Sequence, residues 1–335
     1  MDEAVRFDEC VIAGHRFAPA RFCAPLAGYT HSAFRRLVAE FGGCGAFWTE
    51  MLAAKKILQE DFGSSPWLKR RPVEGLVVYQ LMIRAGDPIA QIMERLGCNG
   101  VKALDLNLAC DALSVRVHEA GSALFDNPPA LRSVLKQVRR HWPHLLTVKI
   151  RLGGRHPDWQ SRLVERLRMF EDEGVDAIIL HPRFFEDKFR RRARHELLPW
   201  VAQQTKLPLI ANGDLCSAEQ IEAMADVLRP ACGIMIGRMA VARPWLFGTW
   251  GANPQVDYAG VWRRMYQYIL EDFEPPVALR RIQMFTKYYA ANFAFGHSFY
   301  HRLARARSPL ELLLLAEDFF SRSPATVSQP VVAGL

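Results

Sequence analysis

Cys110 follows a short apolar segment and lies three residues after Asn107. A thiol and a carboxamide this close together suit a ligand site, because the thiol can give or take a proton and the amide can donate and accept hydrogen bonds. A buried cysteine without a chemical role is the alternative, since free cysteine is among the most buried residue types. The other polar residues of the chain decide between these two interpretations.

Further candidates follow other apolar segments in the same way. Gln80, Lys149 and His181 lie at or directly after three such segments. An amide, an amine and an imidazole that meet in one place would line a ligand site. A structural ion pair is the alternative for Lys149.

Two glycine-containing turns indicate a phosphate site. Asn212-Gly213-Asp214 follows one apolar segment, and Gly237-Arg238 follows the next. Glycine lets backbone N–H groups approach an anion closely, and arginine supplies a planar fork of donors. Each glycine alone is typical of an ordinary turn, so the prediction depends on the pair.

Eight short apolar segments predict strands that position these residues. Each is rich in Val, Ile and Leu and almost continuous, as parallel strands buried on both faces are. They cover residues 22–27, 46–49, 76–81, 103–108, 146–150, 177–180, 207–211 and 233–236. Helices are expected between them at 88–96, 129–140, 158–173 and 218–228, the last with Ser217 as its N-cap.

Eight strand–helix units in roughly 240 residues predict an α/β fold of the (β/α)8 TIM-barrel class. A doubly wound sheet would need a G-x-G-x-x-G turn after its first strand, where this chain has Ala24-Pro25-Leu26-Ala27-Gly28. In such barrels the C-terminal strand ends form the active site, so the candidate residues would share one mouth. Longer amphipathic segments at 260–271, 276–295 and 308–320 then predict a C-terminal helical bundle. We expect a catalytic barrel over residues 1–250, a helical domain over 251–325 and a disordered tail over 326–335.

Several of these motifs together resemble one known family. In order, the chain carries Ala24–Gly28, Gln80-Leu81, Val148-Lys149-Ile150-Arg151-Leu152-Gly153, His181-Pro182-Arg183, Ile210-Ala211-Asn212-Gly213-Asp214 and Met235-Ile236-Gly237-Arg238-Met239-Ala240. The sequence is similar to the tRNA-dihydrouridine synthases, which are FMN-dependent (β/α)8 barrels with a C-terminal helical domain. The resemblance extends from residue 24 to about residue 320.

The resemblance implies a set of cofactor-binding residues. It assigns the flavin ring to Pro25, Leu26 and Ala27. It assigns the polar ring edge and its surroundings to Gln80, Lys149 and His181. The phosphate would be held by Asn212, Gly213, Gly237 and Arg238, and Asp214 is a further predicted cofactor-binding residue.

The resemblance also implies a reaction. The family reduces the C5=C6 bond of uridine in tRNA, with NAD(P)H, expected here to be NADPH, as reductant. Hydride passes from flavin N5 to C6, and a cysteine that aligns with Cys110 protonates C5. The chain departs from the family around this residue, because Ala109-Cys110-Asp111 replaces Gly-Cys-Pro and Ser114 replaces a lysine or arginine.

Basic residues indicate a polyanionic partner, expected to be tRNA. The formal net charge is +8, and the densest basic run extends from Lys188 to His195, directly after the sixth predicted strand. Lysine and arginine neutralise phosphates, although a solvated surface loop is the alternative. The predicted substrate-binding residues are Asn107, Arg183, Lys188, Arg190, Arg191, Arg192, Arg194, Arg280, Arg281 and Lys287.

Hydropathy and cysteine spacing indicate which other classes of protein are excluded. No apolar run reaches the roughly 18 residues that span a bilayer, and the first residues are acidic without an apolar signal core. The seven cysteines are scattered without a C-x-x-C pair, which argues against a disulfide framework or a zinc site. We therefore expect a cytoplasmic monomer without a metal. Two alternatives remain open: an FMN-dependent barrel oxidoreductase acting on another nucleobase or small molecule, and a catalytically impaired RNA-binding homologue.

Overall fold

Parallel strands close into a barrel in the computed structural model, which describes residues 7–188, 190–332 and 334. Within these residues the barrel has eight strands, and its closure is the pairing of β4 with β6. The barrel strands are β3 (Arg21–Cys23), β4 (Ala46–Trp48), β6 (Val77–Met82), β7 (Ala103–Asn107), β8 (Leu145–Ile150), β9 (Ala177–Leu180), β10 (Leu209–Asn212) and β11 (Gly233–Ile236). A hairpin of β1 (Cys10–Ile12) and β2 (His15–Phe17) precedes them, and the short β5 (Leu52–Ala53) pairs with β6. The predicted TIM barrel is confirmed.

Helices surround the barrel and continue beyond it. Around the strands lie α1 (Ser32–Phe41), α2 (Ile89–Cys98), α3 (Leu113–Arg116), α4 (Ser122–Phe125), α5 (Pro128–His141), α6 (Trp159–Asp172), α7 (Leu198–Ala202), α8 (Ala218–Ala223), α9 (Ala225–Leu228) and α10 (Arg238–Ala242). The C-terminal helical region contains α11 (Tyr258–Asp272), α12 (Pro275–Tyr289), α13 (Gly296–Leu303) and α14 (Pro309–Ser321). No helix in the described ranges is long and apolar enough to cross a membrane.

The observed strands follow the eight apolar segments closely because most of their residues are buried on both faces. The first strand ends at Cys23, whereas the apolar pattern extends to residue 27. Ala24 still donates its N–H to Ile236, but Pro25 has no N–H to continue the ladder. The next N–H, that of Leu26, turns to the hydroxyl of Thr30 at 3.0 Å.

The helix predictions differ from the structure in two places. Ser217 caps α8 as expected, accepting the N–H of Gln220 at 3.2 Å, but the helix predicted over 218–228 is divided at Met224 into α8 and α9. The helix predicted over 276–295 ends at Tyr289, and a short 3-10 turn (Ala290–Asn292) follows it. Amphipathic periodicity therefore located these helices but not their ends.

Residues 326–332, predicted as the start of a disordered tail, make specific contacts. Thr326 pairs with Phe293 in an antiparallel bridge, and Arg243 donates to the carbonyl oxygens of Val327 and Ser328 at 3.0 and 2.8 Å. Val332 is buried at the barrel mouth. This segment thus connects the helical region with the strand ends.

Candidate active site

A cavity of about 630 Å³ opens at the C-terminal ends of the barrel strands. This volume lies in the range of small-molecule and cofactor sites. All eleven residues expected to contact the cofactor line the cavity, and so do Asn107, Cys110 and Lys188. Because these side chains come from seven different strand ends, the closed barrel is what brings them together.

A buried chain of hydrogen bonds connects the core to the backbone of Cys110. The hydroxyl of Thr147 donates to Asp105 Oδ1 at 2.6 Å, and Gln80 Nε2 donates to Asp105 Oδ2 at 2.6 Å. Asn107 Nδ2 donates to Gln80 Oε1 at 2.8 Å, and the N–H of Cys110 donates to Asn107 Oδ1 at 2.9 Å. Two cavity-lining amides are thereby tied to the residue that carries the thiol. Sequence patterns did not assign Asp105 a role, since it resembles any acid within a buried strand.

Lys149 is a buried cation in the cavity wall. Burial, and secondarily the charge of Arg151, lowers the pKa of Lys149 to about 8, while Asp105 and Cys110 act in the opposite direction. The pKa of the Arg151 guanidinium is also lowered, first by burial and then by Arg183. Arg151 lines the cavity, although it was not predicted to bind a ligand. Its position two residues after Lys149 could have indicated this, because alternate residues of an extended chain point to the same side.

His181 is neutral and held by an arginine. Burial, followed by the nearby Lys149 charge, keeps the pKa of His181 well below its usual range. Arg183 Nη1 lies 2.9 Å from His181 Nε2, and a guanidinium can only donate, so Nε2 is the acceptor. Gly213, at φ +109°, allows this arrangement, because a Cβ there would lie 2.5 Å from the imidazole Cδ2.

Asp214 holds two arginines beside the predicted phosphate site. Its carboxylate accepts both Arg183 Nη2, at 2.9 and 2.7 Å, and Arg238 Nη2, at 2.8 Å. It also accepts the backbone N–H of Ala193 at 2.8 Å. Because a carboxylate repels a phosphate, Asp214 is suited to orient Arg238 and not to contact the phosphate itself. Asn212 donates to the Met235 carbonyl oxygen at 2.8 Å.

The segment that begins at Cys110 is held by hydrogen bonds between its own residues. Its carbonyl oxygen accepts the N–H of Ser122 at 2.9 Å. Asp111 Oδ1 accepts the Ser122 hydroxyl and Arg116 Nη1, each at 3.1 Å. We call this set of contacts among Cys110, Asp111, Arg116 and Ser122 the loop clasp. Gly121 is needed there, because a Cβ would lie 2.5 Å from the Cys110 carbonyl oxygen.

The predicted RNA-binding residues after β9 divide into two groups. Lys188 lines the cavity mouth, and Arg190, Arg191 and Arg192 are exposed beside it. Arg183, in contrast, is only 2% exposed and donates to the Arg191 carbonyl oxygen and to Asp214, so it is buried behind the mouth and not on an RNA-accessible surface.

Other residues of this segment are also engaged. Arg194 donates to the buried Asp187, which additionally accepts Arg155 at 2.6 Å. Phe189, an aromatic within the basic run, lies outside the described residues. Arg191 Nε also lies 3.6 Å from Asp187 Oδ1, although its side chain remains exposed.

The helical region reaches the same mouth. Arg281 Nη1 lies 3.3 Å from Glu50 Oε1, and Glu50 Oε2 accepts the N–H of Gly28 at 2.6 Å. Arg280 is exposed, and Lys287 is half-buried. One further contact of this region at the mouth was not predicted.

That missed contact is between two tyrosines. Tyr288 and Tyr29 both line the cavity, with ring centroids 5.2 Å apart in an edge-on arrangement. Tyr288 is thus buried and also lines the cavity. Amphipathic spacing cannot distinguish such a residue from an ordinary core residue.

The donor set suits an anionic, carbonyl-rich ligand better than a metal ion. Amide N–H groups, an ammonium and guanidinium groups dominate the polar part of the wall, and Ala24, Leu26 and Met235 supply apolar surface. This combination fits a flavin ring with its phosphate. Across the described residues, no group of three His, Cys, Asp or Glu side chains is arranged to hold a metal, and the seven cysteines are free.

Comparison with known proteins agrees with this geometry. The family model for dihydrouridine synthase (Dus) matches residues 22–322. The tRNA-dihydrouridine synthase B of Pasteurella multocida (strain Pm70) is 31% identical over 227 residues, which cover 68% of this chain and 67% of that protein. The protein of the same name from Escherichia coli (strain K12) is 29% identical over 310 residues, covering 87% and 93%.

Solved structures share the barrel. Morphinone reductase has a TM-score of 0.53 at 11% identity, covering 75% of this chain and 90% of that one. The old yellow enzyme from Trypanosoma cruzi has a TM-score of 0.52 at 10% identity, covering 74% and 93%. Identities this low support a common fold alone.

Proposed function

Because the chain belongs to the dihydrouridine synthase family, we propose that it reduces the C5=C6 bond of uridine in tRNA to 5,6-dihydrouridine, with FMN as cofactor and NAD(P)H, in practice NADPH, as reductant. One observation carries this proposal: the Cys110 thiol shares a single cavity with every residue expected to hold the cofactor. A thiol beside a hydride donor is the pair that reduction of a polarised C=C bond requires.

The cofactor side of the cavity supplies charge and hydrogen-bond donors. Lys149 and Gln80 would meet the polar edge of the flavin, and a nearby cation stabilises the negative charge of its reduced form. Arg238, oriented by Asp214, would meet the phosphate together with the backbone of Gly213 and Gly237. Pro25, Leu26 and Ala27 would cover the ring.

The chemistry divides between the cofactor and Cys110. Gln80, Lys149 and Arg238 would hold FMN, which would supply, when reduced, the hydride for C6 of the uracil. Cys110 Sγ gives its proton to C5, which completes the addition across the former double bond and leaves a thiolate. Water at the open mouth restores the proton to sulfur. Asn107, whose Oδ1 accepts the Cys110 N–H, holds the start of this loop.

The substrate must reach a buried ring. A uracil within folded tRNA has to leave its stack to enter a barrel mouth. Lys188 and the exposed Arg190, Arg191 and Arg192 would neutralise phosphates around it. We further propose that residues 251–325 form the tRNA-binding domain, using Arg280 and Lys287, and that the reaction occurs in the cytoplasm, with the tRNA.

The test uses the full-length protein with FMN. The protein is incubated with NADPH and a tRNA transcript that contains no modified bases, and dihydrouridine is measured by mass spectrometry of the digested RNA. We expect dihydrouridine with the wild-type protein and essentially none with Cys110→Ala. NADPH oxidation without any dihydrouridine, in transcripts of every tRNA species, would refute the proposal.

A second function has one specific observation in its favour. Asp111 replaces the family's proline and forms the loop clasp with Ser122 and Arg116, so the substrate side of the cavity is built differently. An FMN-dependent reduction of another nucleobase or of a small molecule would use the same thiol and flavin. Turnover of NADPH with such an acceptor, together with inactivity toward tRNA, would favour this alternative.

A further inference from the structure

Asp105 is a fully buried acid next to the candidate site and does not line the cavity. Its carboxylate accepts one hydrogen bond from Gln80 and one from Thr147. Burial, the largest influence, raises the pKa of Asp105 to about 6. A buried carboxylate lowers the stability of the fold unless hydrogen bonds compensate for its lost hydration. One of the two donors to Asp105, Gln80, lies in the cavity wall.

The backbone at Ala109 and Cys110 determines which groups donate and which accept in this chain of hydrogen bonds. The backbone N–H groups of Ala109 and Cys110 both point to Asn107 Oδ1, at 3.2 and 2.9 Å, and a backbone N–H can only donate. Asn107 must therefore direct its NH2 group to Gln80, which accepts through Oε1. Gln80 must then direct its own NH2 group away, toward a side chain that accepts.

The carboxylate is that acceptor at the core end. Asp105 Oδ2 lies 2.6 Å from Gln80 Nε2, and the hydroxyl of Thr147 occupies Oδ1. If this acceptor were absent, the Gln80 amide could rotate about its terminal torsion, whose energy profile is broad. Rotation would place two NH2 groups, those of Gln80 and Asn107, opposite each other and break the chain of bonds.

We propose that Asp105 is a positioning residue that orients the amides of Gln80 and Asn107 and, through them, the backbone that carries the Cys110 thiol. Each amide then keeps one further N–H for the cavity, so this part of the wall offers donors and no competing carbonyl oxygen. Such a wall suits ligand carbonyl groups. The purpose of the arrangement depends on the proposed function, but its physical consequences can be measured without turnover.

Two readouts on flavin-free protein test the proposal. The first is the dissociation constant for FMN, from quenching of flavin fluorescence. The second is the rate at which iodoacetamide alkylates Cys110, resolved by peptide mass spectrometry with the exposed Cys98 as an internal reference. For Asp105→Ala we expect FMN binding to weaken about tenfold and relative Cys110 alkylation to change at least threefold, since one buried hydrogen-bond chain is lost.

Asp105→Asn separates orientation from charge. Its side-chain oxygen can still accept from Gln80 while its NH2 group donates to Thr147, so we expect both readouts to return to within about threefold of wild type. The negative charge is lost, however. In the wild type this charge raises the pKa of Lys149, against the lowering by burial and by Arg151. Cys110 and His181 also lie near Lys149. The decline of FMN affinity at alkaline pH should therefore begin at lower pH in this variant.

Asp176→Ala is the matched control. Asp176 also accepts two hydrogen bonds, from Arg139 and from the N–H of Leu146, but it lies at the opposite end of the barrel, before β9. We expect a loss of stability in this control with neither readout changed. Should Asp105→Ala fail to fold, Thr147→Val removes only the hydroxyl partner and should change both readouts in the same direction, about twofold to fivefold.

Unchanged FMN affinity and Cys110 alkylation in Asp105→Ala would overturn the proposal. Failure of Asp105→Asn to restore either readout would overturn it as well, because the accepting atom would be present without effect. Neither result depends on tRNA reduction. A protein that makes no dihydrouridine but passes these tests would refute the proposed function and leave the orienting role of Asp105 intact.

Discussion

The two sides of the cavity are built by different physical means. On the side proposed to hold the cofactor, Gln80, Lys149 and His181 are buried on or next to strands, and Gln80 and His181 are hydrogen-bonded to other buried side chains. On the substrate side, the loop after Cys110 carries Leu113, 77% exposed, and Val117, 61% exposed, and its fixed contacts are the loop clasp. Strand ends give a side chain one position, whereas a loop held mainly by its own contacts can change sequence without disturbing the barrel.

Family resemblance follows the same division. The strand-end motifs resemble those of the family in order, with Pro182 in place of a glycine as a departure there, while three further departures, Ala109, Asp111 and Ser114, fall in the loop. A side chain that must satisfy several buried partners tolerates few substitutes. The comparison therefore predicts that variants on the two sides will have separable effects on cofactor and on substrate.

Cys110→Ala should give the largest effect and the cleanest separation. The substitution removes only the sulfur atom of a half-buried side chain, so FMN binding and thermal stability should stay near wild type. Formation of dihydrouridine should fall by about 10² to 10⁴-fold, the usual contribution of a proton donor. The measurements are single-turnover reduction of tRNA and an FMN titration. A large loss of FMN affinity in this variant would show that the two sides are not independent.

Lys149→Met tests the cofactor side. Loss of a charged donor should weaken FMN binding by about tenfold to a hundredfold. Because burial lowers the pKa of Lys149 to about 8, the wild-type side chain is a cation below that pH and neutral above it. Wild-type affinity should thus decline as pH rises through about 8, while the variant binds weakly and without this step. Lys136→Met, on the outer surface of α5, is the control; an alkaline decline that persists in Lys149→Met would contradict the assignment.

The exposed arginines test the substrate side at a distance from the thiol. Replacing Arg190, Arg191 and Arg192 together by alanine should weaken tRNA binding about tenfold at moderate salt and leave FMN binding unchanged. The slope of log affinity against log salt should fall by about 2 to 3, one for each lost phosphate contact. Filter binding at several salt concentrations measures both. An Arg140→Ala variant on α5 serves as control, and an unaltered salt slope in the triple variant would place RNA elsewhere.

Asp111→Pro should give the smallest effect. The substitution restores the family residue but removes the bonds to Ser122 and Arg116, so we expect a fall of about threefold to tenfold in kcat/KM for tRNA, with FMN affinity unchanged. Asp111→Asn keeps a hydrogen-bond acceptor for Ser122 and should lie between the two. Equal activity of all three forms would show that the loop clasp has no part in positioning Cys110.

Much of the fold could be predicted from sequence because parallel strands buried on both faces leave a strong local signal. All eight barrel strands were located this way, with the first extended too far because Pro25 ends its ladder. The hairpin of β1 and β2, and helices α1 and α13, were not predicted. Strands β1 and β2 are partly exposed, so they lack the continuous buried apolar run that located the barrel strands.

The sequence by itself determined the barrel and the residues that meet at its mouth, because strand order and strand ends follow from local patterns. Only the tertiary structure decided what each residue does there. Arg183, expected to face RNA, is buried against Asp214, and Asp105, a strand residue without an assigned role, accepts from Gln80. The physical reason is that hydrogen-bond partners lie on neighbouring strands about 20 to 40 residues apart, and a pattern along one segment contains no information about the segment beside it.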